Sequence, residues 1–488
     1  MQIPFGEWLP DQPEYNNPGA NTANNVYFAA SSYKRFPSLV NYSTNNIAKD
    51  SRGAGSFRDN SNTVFNFVAT NSDIHQLASG TFTSRKSGLT GGNTDYFTFT
   101  QFGNYIIASN GVDAPQYYLM GTSTNFANLS TIATSGTVPV FKCSGVIRDF
   151  LVTGNHVGAS NRIQWSGIND ISTWASGTKQ SDLQDLPGSG GQITHITSGE
   201  ISYIFRQNQI VRMDYVGGAT VFRLSVISPN RGAVLGRTVC QDNRRVFFYA
   251  DDGFFELNGD QVVSIGAEKV NRFFDLDLNK AFTDRICAAV DPFNQLAMWL
   301  YPSANDTSNT TGICDKVIIY NYATQKWSTA DTNASSIFSQ FVGAYTVELM
   351  DIISENLDNI NIALDTDFWN GGQRYLGAID NEFKAAIFSG TENEGTIETR
   401  EMELFPGHRS SITNVRPIVD ATSTVTIKTK ERLADTATES TSSTMVTSGD
   451  NPVRQSGRYF KIKVTTPSGS VWTHAQGVDV IASRIGLR

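Results

Sequence analysis

Three pairs of neighbouring carboxylates are candidates for acid–base chemistry on a sugar. They are Asp251 with Asp252, Asp275 with Asp277, and Asp365 with Asp367. Glycosidases place one carboxylic acid and one carboxylate on either side of the glycosidic bond that they cleave. Each pair here stands beside turn residues, where Asp is common because its side chain caps the backbone and tolerates unusual dihedral angles. We therefore predict a structural role for all three pairs and no catalytic residues.

Metal, cofactor and nucleophile motifs are absent from the sequence. None of the histidines has a partner at the spacing of a metal-ligand motif, and there is no CxxC pair and no phosphate-binding Gly-Lys-Ser/Thr loop. The scattered cysteines favour buried thiols over a disulfide framework. We predict no metal site, no cofactor and no enzymatic activity. The residues concerned are His75, His156, His195, His408, His474, Cys143, Cys240, Cys287 and Cys314.

The elements that must position these residues are β-strands. From residue 51 to residue 394, runs of alternating apolar and polar residues are separated by turn residues, and similar units recur about every 45 residues. The clearest unit spans residues 245–265, where Asp252-Gly253 and Asn258-Gly259 are strong hairpin dipeptides. Such units bury both faces by radial stacking. The sequence predicts an all-β chain containing a β-propeller of six or seven blades at 51–394.

Two further regions flank the predicted propeller. Residues 1–50 contain prolines that exclude a helix or a central strand, which indicates an ordered extended arm. Residues 395–488 have shorter, more charged strands, which predicts a small β-sandwich-like domain with an exposed loop at residues 436–448. The third unit is expected to end in a strand at residues 171–174, and the sixth carries a polar insertion at residues 303–312. Residues 271–280 have mild helical spacing, which predicts one or two helical turns between blades. The seventh propeller unit, at about 337–390, is the weakest. A strand donated by the arm is one way to close the ring.

The composition limits the classes of partner. The chain has 488 residues, 17% of them charged, and a net charge of −8, so its overall field repels nucleic acid. The 30 phenylalanines, 17 tyrosines and 7 tryptophans can supply a large core. The N-terminus lacks the basic and apolar regions of a secretory signal, and the longest apolar runs are shorter than a membrane span. We expect no stable membrane insertion.

Several motifs resemble those of tail nozzle proteins of short-tailed bacteriophages, which are related to the packaged-DNA stabilisation and head-completion proteins. The similarity spans nearly the full chain. The motifs are Trp8-Leu9-Pro10-Asp11-Gln12-Pro13, Asn16-Asn17-Pro18-Gly19, Phe36-Pro37-Ser38-Leu39, Asp252-Gly253-Phe254-Phe255, Ile265-Gly266, Val290-Asp291-Pro292, Ile319-Tyr320-Asn321-Tyr322, Trp327-Ser328, Val415-Arg416-Pro417, Gly457-Arg458-Tyr459 and Gly477-Val478.

The resemblance implies a structural protein of the virion tail, assembled in the host cytoplasm. It implies a ring, six copies being the expected number, that extends the portal and adaptor channel, retains packaged DNA and conducts it during ejection. The implied partners are the adaptor or connector ring, the tail spikes, fibres or needle, and genomic double-stranded DNA that passes without specific binding. A channel for sliding DNA should be neutral or acidic, because basic side chains hold phosphates. The net charge of −8 fits that expectation.

The arm is the predicted partner interface. A segment whose backbone is fixed by proline loses little entropy when it docks, so we expect residues 10–36 to pack on a neighbouring subunit or on the adaptor. Deletion of residues 1–36 should then spare folding and abolish incorporation into the ring. The predicted interface residues are Pro10, Asp11, Pro13, Asn16, Asn17, Pro18 and Phe36.

Two other functions are compatible with a propeller. One is a glycan depolymerase, which would release sugar in a reaction that the substitution Asp252→Asn abolishes. The other is a non-catalytic receptor-binding propeller, for which monomeric behaviour and saturable glycan binding are expected.

Overall fold

Inner strands from successive blades surround a central axis in the computed structural model, which describes residues 1–218, 220–304, 311–341 and 374–486. Each inner strand contacts the inner segment of the next blade, and the last contacts the first, so that the ring is closed. The described residues form seven blades of four antiparallel strands. The predicted all-β propeller is confirmed, with the higher of the two expected blade numbers.

The first three blades follow one another along the chain. Blade one comprises Gly53–Arg58, Val64–Ala69, Ile74–Ala78 and Thr81–Lys86. Blade two comprises Thr98–Phe102, Tyr105–Ser109, Gln116–Leu119 and Ala127–Asn128, and a 3-10 turn follows at Leu129–Ile132. Blade three comprises Phe141–Ile147, Phe150–His156, Ala159–Trp165 and Asp182–Asp185.

The next three blades continue the same order from the axis outwards. Blade four comprises Ile193–Ile196, Ile201–Arg206, Ile210–Tyr215 and Phe222–Ser228, and a 3-10 turn follows at Gly236–Thr238. Blade five comprises Cys240–Asp242, Arg245–Ala250, Gly253–Asn258 and Gln261–Ser264. Helix α1 (Asn271–Asp277) and a 3-10 segment at Lys280–Arg285 lead to blade six, which comprises Cys287–Asp291, Leu296–Tyr301, Cys314–Asn321 and the first half of Lys326–Phe341.

Blade seven combines the two ends of the propeller. The second half of the long strand Lys326–Phe341 is its inner strand, and Arg374–Asp380 and Ala385–Gly390 follow. The outermost strand is Ser38–Asn41, which comes from the N-terminal region and pairs with residues 386–390. The N-terminal region therefore supplies the strand that closes the ring.

The remaining strands form two packed sheets, which we call the sandwich. One sheet contains Gln2–Pro4, Val26–Ala29, Ser32–Arg35, Arg409–Val419, Asn451–Gly457 and Ala475–Gly486. The other contains Thr22–Asn24, Gly395–Glu398, Met402–Glu403, Thr424–Lys430, Thr438–Glu439, Ser443–Thr444 and Tyr459–Thr466. The apolar faces of the two sheets form one core between them. This confirms the predicted C-terminal β-sandwich and adds four strands from residues 2–35 to it. The expectation that the N-terminal region contains no central strand is wrong, because Thr22–Asn24 pairs with residues 396–398 on one side and with Thr329 on the other.

A single apolar cluster joins the sandwich to blades five and six. Phe254, Trp299 and Trp327 are fully buried in it, and their rings lie 4.7 to 5.9 Å apart. Both indole nitrogens have backbone acceptors, the carbonyl of Thr238 for Trp299 and that of Ile265 for Trp327. Buried tryptophans with satisfied N–H groups combine large buried area with fixed orientation. The propeller and the sandwich therefore share a core.

Local features were predicted with mixed success. Helix α1 and the hairpins of blade five lie where the sequence places them. The expected strand at residues 171–174 is wrong: that stretch is a loop, and the outer strand of blade three is Asp182–Asp185. The expected loop at 436–448 contains two strands of two residues each. Residues 342–373 of the predicted seventh unit, and 305–310 of the polar insertion in the sixth, lie outside the described residues.

Candidate partner-binding surface

The segment Pro10–Pro13 lies against helix α1 and is held there by hydrogen bonds. The Asp11 carboxylate accepts from the backbone N–H groups of Arg272 and Phe273, at 2.9 and 2.7 Å. The Asp11 amide donates to the carbonyl of Lys269 at 3.1 Å. The first N–H groups of a helix have no partner within the helix, and a carboxylate there also complements the helix dipole. Asp11 therefore caps a helix 260 residues away in the sequence.

An open cavity of about 550 Å³ lies between this segment and helix α1. Pro10 and Pro13 form one wall, and Phe273 and Leu276 form the opposite wall. The side chain of Leu276 is 69% exposed. A leucine exposed to this degree beside two prolines is a surface that apolar side chains of another protein can cover. We call Pro10, Pro13, Phe273 and Leu276 the proline–helix groove.

The next residues of the N-terminal segment are attached to the sandwich. The Glu14 carboxylate accepts from the Lys461 ammonium at 2.8 Å, and the backbone of Asn16 donates to the carbonyl of Glu401 at 2.9 Å. The hydrogen bond from Lys461 lowers the pKa of Glu14 below its ordinary value, although partial burial opposes that shift. The ring of Tyr15 meets the ring of Tyr459 edge to face at 5.4 Å. The segment is thus docked on its own chain.

The predicted interface residues divide into two groups in the structure. Pro13, Asn16 and Pro18 are exposed, and Pro10 and Asp11 are half-exposed. Asn17 and Phe36 are buried, at 2% and 3% exposure. The exposed and half-exposed residues remain predicted interface residues, and they are Pro10, Asp11, Pro13, Asn16 and Pro18.

For Asn17 and Phe36 the prediction of a partner contact is corrected, because this chain itself covers both side chains. The Asn17 amide donates to the carbonyl of Leu9 at 3.0 Å and its oxygen accepts from the Gly19 amide at 2.8 Å. Phe36 packs in the core of blades six and seven, with its ring 5.3 Å from that of Phe388. Both side chains therefore stabilise the N-terminal segment through contacts within this chain.

The expectation that deletion of residues 1–36 spares folding is also inconsistent with the structure. Trp8, Phe28 and Tyr33 are 0 to 3% exposed and lie in the core that joins the sandwich to the propeller. The Tyr33 hydroxyl donates to the carbonyl of Gly6 at 2.8 Å. Removal of this segment would expose apolar core residues.

The candidate carboxylate pairs have structural partners. Asp252 forms an ion pair with Arg231 at 2.5 Å on the hairpin of blade five. Asp275 pairs with Lys280 at 2.8 Å, and the Tyr301 hydroxyl donates to Asp277 at 2.8 Å. These contacts agree with a structural role for Asp252, Asp275 and Asp277. The pair Asp365 and Asp367 lies outside the described residues.

Metal-ligating side chains are dispersed throughout the described ranges. No group of three or more His, Cys, Asp or Glu residues within them could hold a metal ion. All four cysteines are buried free thiols, as predicted. Burial lowers the pKa of His195, on the inner strand of blade four, to about 4, so this histidine is neutral.

No helix in the part of the chain that the structure describes is long and apolar enough to cross a membrane.

Sequence reasoning identified one wall of the groove and missed the other. Pro10 and Pro13 indicate a break in regular structure. The sequence predicts Phe273 and Leu276 only as part of a short helix between blades. The helical spacing of residues 271–280 was the available signal, because it predicts that Leu276 and Phe274 lie on different faces. What the sequence does not contain is the pairing of this helix with Asp11.

Comparisons with known proteins identify no family for the chain. No family model matches the chain, and no curated protein matches it. A chain of the structure titled "Crystal Structure of Mitotic Checkpoint Complex" is similar with a TM-score of 0.41 and 11% identity, covering 74% of this chain and 98% of that one. BamB from Moraxella catarrhalis gives 0.37 and 11%, covering 80% and 100%, and the Pan2 WD40 domain from Neurospora crassa gives 0.39 and 9%, covering 74% and 99%. The propeller assignment rests on the closed ring of four-stranded blades, and at these scores the likenesses add no argument about function.

Proposed function

We propose that the protein is a non-enzymatic structural component of the tail of a short-tailed bacteriophage, the tail nozzle. The proposal rests first on the sequence resemblance. The observation that carries it further is where the resembling N-terminal motif lies: it bridges helix α1 and the sandwich, and it leaves a proline–helix groove at the surface. A segment built in this way acts as a structural element with an outward-facing contact surface.

The architecture supports a mechanical role in the tail. The ring is closed by a strand from the opposite end of the propeller sequence, and a shared core fixes the propeller to the sandwich. Radial repetition leaves only short, protected sheet edges, and in a closed ring every blade packs against two neighbours. Such a body keeps its shape when force acts on it, which a channel for ejected DNA requires.

The proposed assembly contains several copies of this chain, six being the expected number. In it the ring lies below the adaptor or connector ring, carries spikes, fibres or a needle, and surrounds genomic double-stranded DNA without specific binding. The net charge of −8 favours passage of DNA over its retention on the channel wall, because a phosphate backbone is attracted by Lys and Arg. The place of the protein is then the virion, after assembly in the host cytoplasm.

Cryo-electron microscopy of the particles that contain this chain in its native source tests the proposal. A ring of copies around an axial channel, joined to a ring of connector subunits, is the expected result. Isolated monomeric propellers, or release of sugar from capsule or host glycan, would contradict it. In that case the receptor-binding or depolymerase function would take its place.

A matched pair of variants tests whether the proline–helix groove is a partner contact. Leu276→Glu places a charge in the groove, whereas Leu433→Glu makes the same change at a leucine of the sandwich that is 47% exposed. Both purified chains should keep the melting temperature of the parent chain. Only Leu276→Glu should reduce incorporation into tails, measured by the amount of the chain in purified particles. Equal incorporation of the two variants would exclude the groove as the contact.

A further inference from the structure

One end of the central axis of the propeller is a cavity of about 250 Å³. It lies where the chain enters the inner strands of blades two to six, and loops from several blades contribute to its wall. The polar side chains that matter here are Tyr96, Lys142, Thr194, Arg237 and Asp284. The cavity is too small for a nucleic-acid duplex and large enough for a small ion with its first waters.

Lys142 is a half-buried cation in this wall without a carboxylate partner among the described residues. Its ammonium lies 4.8 Å from the centre of the Tyr96 ring. Burial raises the pKa of Tyr96, so the phenol keeps its proton and its hydroxyl lies 3.5 Å from the carbonyl of Thr194. The Tyr96 ring satisfies the ammonium only in part, because a cation–π contact leaves the N–H donors of Lys142 available.

Arg237 is the second cation of the wall. Its guanidinium donates to the backbone carbonyl of Asp284 at 3.3 Å, and it has no ion pair within the described ranges. Asp284 is the one carboxylate among the described residues of the wall, and its oxygen is held by Arg52 at 3.1 Å. Arg52 is 3% exposed. The carboxylate that could neutralise Arg237 is therefore occupied by another arginine.

Behind the wall, Arg52 and Arg285 are paired with Asp284 and Asp50, so the positive charge of this region left without a carboxylate among the described residues is that of Lys142 and Arg237. Burial and the nearby Arg285 and Arg237 guanidinium groups lower the pKa of Arg52, although its hydrogen bond with Asp284 opposes that shift. Arg285 in turn pairs with Asp50 at 2.5 Å. Cations that are withdrawn from water and not fully paired are costly, and an anion in the cavity would reduce that cost.

We propose that this cavity is a binding site for a small oxyanion, a phosphate or carboxylate group, held between Lys142 and Arg237. A guanidinium presents paired N–H donors that match two oxygens of such a group, and an ammonium adds a point charge. The source of the group is either a free anion or an acidic side chain that a partner inserts into the end of the axis. The site is independent of the proposed nozzle function, because it depends only on this chain.

Titration calorimetry on the full chain with inorganic phosphate and, separately, with glutarate tests the proposal. Sodium chloride at matched ionic strength is the control for screening. Saturable binding of either anion is expected. Binding of phosphate alone assigns the site to a free anion, and binding of glutarate alone assigns it to a carboxylate side chain. Absence of saturable binding for both would overturn the proposal.

Charge-removing variants locate the site. Arg237→Gln and Lys142→Met should each weaken binding by about tenfold or more, because hydrogen bonds to charged groups are worth at least that factor. Arg244→Gln removes the same charge from an exposed arginine on the hairpin of blade five and should leave the affinity unchanged. Equal affinity in all three variants would place the anion elsewhere and contradict the assignment.

A structural readout is available if either cavity variant fails to fold. Crystals of the parent chain soaked in arsenate, a heavier analogue of phosphate, should show an anomalous peak between Lys142 and Arg237. Peaks at other positions only, at an arsenate concentration that saturates binding in solution, would likewise overturn the proposal.

Discussion

Blade five and blade seven have the same four-stranded architecture but are assembled from very different stretches of chain. Blade five uses only residues 240–264, and each strand pairs with its immediate neighbour in sequence. Blade seven combines residues 334–341, 374–380 and 385–390 with residues 38–41, so its outer pairing joins positions about 350 residues apart. A hairpin closes only a short loop. Closure of the ring brings together segments that are far apart in sequence, so it also carries the conformational-entropy cost of closing a long loop. Blade seven and the N-terminal segment should therefore be where the molecule is most easily opened.

Truncation of the N-terminal region should have the largest effect. Deletion of residues 1–36 removes four strands of the sandwich, and deletion of residues 1–42 also removes the closing strand of blade seven. We expect the first truncation to lower the thermal unfolding midpoint and the second to lower it further and to make blade seven sensitive to proteolysis. Circular dichroism and limited proteolysis measure both effects. A truncated chain with the midpoint of the full chain would show that the shared core is not needed.

Charge introduced into the outer strands compares the two blades directly. Val40 is 8% exposed on the closing strand of blade seven, and Val263 is 51% exposed on the outer strand of blade five. Val40→Asp should cost about 3 kcal/mol or more, because it buries a carboxylate in an apolar cluster that includes Ile387. Val263→Asp should change stability by less than about 0.5 kcal/mol. Denaturant unfolding of both variants gives the two values, and equal costs would refute the distinction between the blades.

Loss of the cap on helix α1 should have an intermediate effect. Asp11→Ala removes the acceptor of two helix N–H groups and should cost about 1 kcal/mol, the usual value for a lost cap. Asp11→Asn retains an acceptor and should recover most of the loss. Because this contact joins the N-terminal segment to the linker after blade five, hydrogen exchange should increase in both elements for the alanine variant. An increase confined to one of them would mean that the cap does not couple the two.

The ion pair of Glu14 should have the smallest effect, and it depends on pH. The folded-state pKa of Glu14 is lowered, so its stabilising contribution is present above the ordinary pKa and is lost as the pH falls through the lowered value. The side chain is 58% exposed, which limits the contribution to under about 1 kcal/mol. Glu14→Gln should be slightly less stable than the parent at pH 7, and the difference in stability should shrink as the pH falls through the lowered pKa of Glu14. A difference that persists once the pH is below that pKa would point to lost packing.

The sequence by itself determined the strand-rich repeats, the hairpins of blade five, the short helix after it and the strand-rich character of residues 395–488. These features depend on alternation of apolar residues and on turn residues, which act over a few positions of the chain. Only the tertiary structure decided that Ser38–Asn41 closes blade seven, that residues 2–35 complete the sandwich, and that Asp11 caps helix α1 to form one side of the proline–helix groove. Each of these is a pairing between segments that are distant in sequence. The pairing is selected by the burial of apolar surface and by unsatisfied backbone groups, which exist only after the chain has folded.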